Sequence, residues 1–179
     1  MLLVVAATEA ELRGAGAAGL VCGIGPVESA LATARALAER PPEALLHVGI
    51  AGARGIEPPA LVLGAESVYC DVIDPAFTMA RVERVAPDPA LLAAACAALP
   101  EARVLPIATC GRVGGGAGYE VEAMEGFGVL RAAALAGVPA VELRAVSNAV
   151  GEPDRSAWRI DEALDALAAA VERLLAALA

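Results

Sequence analysis

The chain has 179 residues, and its 13 basic residues, all arginine, face 22 acidic ones for a net charge of −9. Apolar types make up 58% of it but aromatics only 3%. The length suits one domain, residues 1–179, able to bury a real core. The charge excludes a basic nucleic-acid face and an anionic membrane surface as partners, and the apolar fraction excludes intrinsic disorder.

A membrane-spanning helix needs roughly 20 nearly uninterrupted apolar residues. The longest charge-free run, between Arg13 and Glu28, is broken by Gly14, Gly16, Gly19, Gly23, Gly25 and Pro26 and reads as turn–strand–turn. The opening MLLVVAATEAE lacks a basic segment and meets acid early, unlike a secretory signal, so the expected compartment is the cytoplasm. Cys22, Cys70, Cys96 and Cys110 form no CxxC pair, and His47 is the single histidine. That excludes a zinc pattern and predicts small buried thiols, with no metal and no cofactor.

In chain order, Leu2–Ala6 and Leu20–Ile24 read as strands. Pro26 opens a helix over Val27–Arg40 that Pro41-Pro42 stops. Leu45–Ile50 reads as a strand ending in a Gly49-Ile50-Ala51-Gly52 turn. Leu61–Val85 is β-rich, with Ser67–Val72 and Met79–Val85 its best strands. Asp88-Pro89 caps a helix Ala90–Leu99, and Val104–Ala108 is another strand. A Gly-rich loop, residues 111–118, precedes a helix from Val121 to Ala136, which Gly137 and Pro139 end. Val141–Ser147 is a strand, and Ser156 is the expected cap of a final amphipathic helix. The alternation predicts an α/β domain with a mixed sheet.

Ligands of open α/β sheets bind outside the carboxyl ends of strands. The polar clusters at such ends are Thr8-Glu9-Ala10-Glu11, Met124-Glu125 and Ser147-Asn148. Gly23-Ile24-Gly25-Pro26-Val27-Glu28 lacks the third glycine of a dinucleotide fingerprint and reads as a tight strand-to-helix turn. His47, in an apolar strand pattern, reads as a hydrogen-bonded core histidine. Glu125 among Met124, Gly126 and Phe127, and Arg144 inside a strand of Val, Leu and Ala, need partners if buried.

These residues sit in four segments: AATEAEL, GIGPVESA, GIAG, and EAMEGFGVLRAAALAGVPAVELRAVSN. With them the chain resembles the purine nucleoside phosphorylase/nucleosidase superfamily, in its methylthioadenosine/S-adenosylhomocysteine nucleosidase branch, and within that looks most like the futalosine hydrolase subfamily. The resemblance implies a three-layer phosphorylase/hydrolase-like fold with a central mixed β-sheet flanked by helices. It implies hydrolysis of a purine N-glycosidic bond through an oxocarbenium-like transition state. By resemblance Glu11 is the water-activating carboxylate and Glu125 holds the ribose hydroxyls with Met124 on the sugar. Asn148 meets the purine at its N7 edge, and Arg144 organises the acids and water. A homodimer or higher homo-oligomer, no nucleic-acid or membrane partner, and a place in menaquinone biosynthesis are implied in the same way.

Asn148 stands where adenine-specific members carry Asp. An amide is no general acid at neutral pH, but it donates to a carbonyl and accepts from a ring N–H, which matches hypoxanthine better than adenine. The family's stacking aromatic falls in the shortened Gly111–Glu120 region, where Tyr119 remains; Phe77 and Trp158 are the other candidates. Ile50 stands where adenine-specific members have a hydroxyl. Glu11 repels phosphate, which favours water as nucleophile, and Arg54 is the one basic residue near the GIAG turn. The alternatives are a methylthioadenosine/S-adenosylhomocysteine nucleosidase, a purine nucleoside phosphorylase, and, from other classes, a non-catalytic nucleoside-binding protein or a purely structural subunit.

Overall fold

Alternating side chains of the central strands sort themselves onto two faces, and that division organises the molecule. In the computed structural model, which describes residues 1–16, 19–72, 82–116 and 118–178, β1 is Leu2–Ala6, β2 Gly19–Val21 and β3 Ala44–Ala53. Val4, Leu46, Val48 and Leu143 point to one apolar cluster, Val5, Leu45 and Ala140 to another. Helices α2 (Pro89–Ala98) and α4 (Ile160–Leu178) cover the first face through Ala95, Leu167, Val171 and Leu174. Helices α1 (Pro26–Glu39) and α3 (Gly126–Ala136) cover the second through Leu37, Val129, Leu130 and Ala133. This is the three-layer α/β arrangement with a mixed sheet that the sequence predicts.

The remaining strands are β4 (Leu61–Tyr69), β5 (Arg84–Val85), β6 (Arg103–Thr109), β7 (Val121–Ala123) and β8 (Ala140–Ala149). Strands β1, β3 and β8 run parallel to one another. Strand β8 also pairs antiparallel with β4, β4 parallel with β6, β6 parallel with β7, and β7 antiparallel with β3. These four pairings together with β3–β8 close a ring, a feature the open-sheet reading lacks. Bulges at Ala51/Gly52 and Gly64/Glu66 bend the strands enough to allow closure. Ala51, Ala53, Val62, Ile107, Val121 and Val146 form a cluster of small and branched residues at this ring.

Several boundaries depart from the sequence expectations. The GIAG segment is not a turn: it lies within β3, held by β8 on one side and β7 on the other. Val121–Ala123 opens no helix; these residues pair with β6 and β3, and α3 starts only at Gly126. A three-residue strand carries too little periodicity to be told from a helix start. The strand expected at Leu20–Ile24 is only Gly19–Val21, and the one at Ser67–Val72 is the end of the longer β4. Of Met79–Val85, only Arg84–Val85 is a strand among the described residues. Ser156 does not cap the final helix. Its N–H and hydroxyl both go to Asp154, which caps a short 3-10 turn at Arg155–Ala157, and α4 begins at Ile160.

Cys22, Cys70 and Cys110 are buried and Cys96 is half-buried against the core. Burial pushes the Cys22 and Cys110 thiols up to about 12, so both stay protonated at neutral pH. Among the described residues no helix is long and apolar enough to cross a membrane.

Candidate active site

Strands β1, β3 and β8 run in the same direction, and the segments at and beyond their carboxyl-terminal halves open onto a cavity of about 500 Å³. Glu11, Met124, Glu125 and Asn148, drawn from three distant segments, all line it. Arg144 lies fully buried behind the two acids.

Glu11 is held from both sides. Beyond β1 the chain turns through Thr8 into a 3-10 turn, Glu9–Leu12. The Thr8 N–H and hydroxyl donate to Glu11 Oε2 at 3.0 and 2.7 Å, and the Ile50 N–H donates to Oε1 at 3.0 Å. A carboxylate receiving three donors is fixed in direction and still has lone pairs for a water. Ile50 thus contributes its backbone where its side chain has no hydroxyl to offer.

Glu125 sits in the turn between β7 and α3, only 5% exposed. The Gly25 N–H donates to its Oε1 at 3.0 Å, which ties the Gly23–Gly25 turn to the site. Burial pushes this carboxyl above the usual range, while Arg144 and the Gly25 N–H pull the other way and Glu11 adds to the rise. Asn148 is the penultimate residue of β8, and two hydrogen bonds orient its amide. Its Oδ1 accepts from the Ser147 hydroxyl at 2.8 Å and its Nδ2 donates to Ala149 O at 3.0 Å. One amide hydrogen is left for a ligand.

Arg144 donates from Nε to Glu142 at 2.8 Å and pairs through Nη2 with His47 Nε2. Its Nη1 stands 3.7 Å from Glu125 Oε2 with no hydrogen-bond partner. Burial by itself lowers the pKa of Arg144, but Glu142, then Glu125 and Glu11, outweigh it and hold it above the ordinary value. Gly49 makes room for this arm. A Cβ there would lie 2.1 Å from Arg144 Nη1 and 2.9 Å from Glu11 Oε1.

The stacking candidates separate. Trp158 lines the cavity, its Nε1 donating to Glu152 O at 3.2 Å and the Arg155 guanidinium lying 5.1 Å from its ring centre. Tyr119 is not part of the cavity wall. It packs by Cys70 and Cys110, and its hydroxyl accepts from Arg84 at 2.7 Å. Phe77 lies outside the described residues. His47 is the buried, hydrogen-bonded histidine expected of it.

Sequence reasoning passed over four contributors. Glu122 lines the cavity while accepting the Gly114 and Gly116 N–H groups, so it shapes the Gly-rich loop. Arg112 and Arg155 also reach the cavity wall. Glu142 was not singled out in the strand around Arg144, although its two-residue spacing from Arg144 places both on one face of β8. Arg54 does not line the cavity; it donates to Tyr119 O at 2.7 Å and sits 3.5 Å from Glu122.

The family model of the phosphorylase superfamily matches residues 9–179. The chain belongs to the phosphorylase superfamily. The superfamily chain is 41% identical to the futalosine hydrolase of Streptomyces coelicolor, over 87% of its own length and 77% of that protein's. It is 34% identical to the futalosine hydrolase of Thermus thermophilus, over 92% and 84%. Among solved structures, a futalosine hydrolase mutant of Helicobacter pylori superposes with a TM-score of 0.87 at 16% identity, covering 98% of each chain. The 5′-methylthioadenosine/S-adenosylhomocysteine nucleosidase of S. pneumoniae, bound to a transition-state inhibitor, gives 0.87 at 21% identity and 99% of each. At those identities the two structures establish the shared fold.

Proposed function

We propose that this protein is a futalosine hydrolase, cleaving the N-glycosidic bond of futalosine with water and releasing hypoxanthine. The observation that carries the reading is the convergence of Glu11, Glu125 and Asn148 on one cavity, in a chain whose curated relatives are futalosine hydrolases. Glu11 takes a proton from the attacking water. Glu125 holds the ribose hydroxyls, with Met124 against the sugar, as positive charge develops on the ring. The free Asn148 amide hydrogen meets the purine edge, and Trp158 offers the one aromatic face in the cavity wall among the described residues. Water rather than phosphate is the nucleophile, because Glu11 repels an anion on its side of the cavity.

The test is base release from futalosine, inosine and methylthioadenosine in phosphate-free buffer. Hypoxanthine appears fastest from futalosine, without added phosphate. Faster release of adenine from methylthioadenosine overturns the reading. Asn148→Asp moves the ratio of the two rates toward adenine by at least about tenfold, since a buried partner mismatched to one exocyclic group discriminates strongly.

The same reading includes a second copy of the chain. Val27 and Leu31 on α1 and Leu135 on α3 are 66%, 64% and 71% exposed around one apolar hollow formed by the two helices. Such a patch is larger than scattered surface residues require. Light scattering on the purified protein gives a mass of at least two chains; a monomer at micromolar concentration removes this part.

A further inference from the structure

His47 and Glu142 are fully buried titratable side chains with no part in the reaction above, and both end on Arg144. They reach it because β3 and β8 are in register, His47 opposite Glu142 and Gly49 opposite Arg144. Residues two apart share a face, so all four lie on the α1/α3 side of the sheet.

Each partner is itself held. His47 Nδ1 lies 2.9 Å from Val5 O, which only accepts, so Nδ1 carries the hydrogen and Nε2 is the bare acceptor for Arg144 Nη2. Burial first, and then Arg144, press the His47 pKa well below the ordinary value, so the ring stays neutral. Glu142 Oε1 accepts from Arg144 Nε, and its Oε2 accepts from the Ser67 hydroxyl. Its carboxylate lies under the first residue of α3, where a Cβ on Gly126 would meet Oε1 at 2.4 Å. The amino end of the helix favours that negative charge.

We propose that His47 and Glu142 are positioning residues that clamp Arg144 by Nη2 and Nε, leaving Nη1 as the one arm presented to Glu125 beside Glu11. The clamp explains why the guanidinium does not turn its planar fork onto Glu125. Two of its donor sites are already taken by partners that cannot move. Arg144 therefore supplies a charge at fixed distance and leaves Glu125 Oε2 free for the substrate, Oε1 already accepting the Gly25 N–H. The catalytic side of this proposal rests on the futalosine reading, whereas the clamp itself does not.

Two readouts keep those apart. In a side-chain ¹⁵N–¹H spectrum, with Arg144 assigned by Arg144→Lys, the wild type shows separate Nη1 and Nη2 resonances from a guanidinium that does not rotate. His47→Leu and Glu142→Ala merge them. The same variants lower kcat for futalosine by about tenfold to a hundredfold with KM nearly unchanged, the cost of misplacing a group by roughly 1 Å. His47→Gln and Glu142→Gln, which keep an acceptor at each place, restore both the separate resonances and most of kcat. Separate resonances in folded His47→Leu and Glu142→Ala overturn the clamp, and merged resonances with wild-type kcat overturn its role in turnover. Where those two variants do not fold, the Gln variants decide, and merged resonances or a loss beyond about tenfold in them overturns the proposal. A wild type that releases no base defeats the futalosine reading alone, and the spectra still judge the clamp.

Discussion

Glu11→Gln lowers kcat for hypoxanthine release by roughly 10²–10⁴-fold, the span a positioned general base contributes. The fold survives the change. Gln keeps an oxygen for the Thr8 donors or for the Ile50 N–H, but not for both sides. The N–H left without an acceptor costs about 1–3 kcal/mol, which a domain of this size tolerates. Nucleoside affinity changes little, because Glu125, Met124 and Asn148 remain in place around the cavity. Release measured at saturating futalosine, beside a direct binding titration, separates the two effects. Turnover within a fewfold of wild type assigns the base elsewhere. A protein that binds nucleoside equally well before and after the change, and never releases base, is the non-catalytic binder.

Arg144→Met costs about 3–5 kcal/mol of stability, the penalty for removing one partner of a buried ion pair. The reason is the number of charges left behind. Glu142 is 0% exposed and loses its 2.8 Å donor, and Glu125 loses the cation 3.7 Å away. In a chain of 179 residues that is a fall of about 6–20 °C in Tm by calorimetry at neutral pH. Glu142→Met added to Arg144→Met recovers part of the loss, since the orphaned carboxylate is then gone. Equal melting of wild type and the single variant removes the ion-pair account. The Glu125 carboxyl, already raised by burial, goes higher still without its cation, so part of its ionisation is lost nearer to neutral pH.

Much of the fold was legible because the strands are short apolar runs set between Gly and Pro. Leu2–Ala6 matches β1, and α1 and α2 differ from expectation by a residue at their ends. Failures came where pairing partners decide local structure. Val121–Ala123 is extended because β3 and β6 offer it hydrogen bonds on both sides, and GIAG stays in a strand because β8 and β7 hold it. No local propensity carries that information.

The site divides in the same way. Glu11, Met124, Glu125, Arg144 and Asn148 were readable as polar or unusual residues at strand ends, within segments that resemble a known family. The sequence by itself determined the α/β alternation and the acids at strand ends, since these depend on residue type and period, and its four segments carried the resemblance that implied the superfamily and the three-layer arrangement. Between the two candidates among the described residues, tertiary structure alone decided which belongs to the cavity, Trp158 rather than Tyr119. It alone joined His47 to Glu142 and Arg144, and aimed the remaining guanidinium arm at Glu125. Those contacts span 97 residues between His47 and Arg144 and exist only because parallel strands bring them into register. The physical reason is that a buried charge is placed by its partners, and a sequence names the charge without naming them.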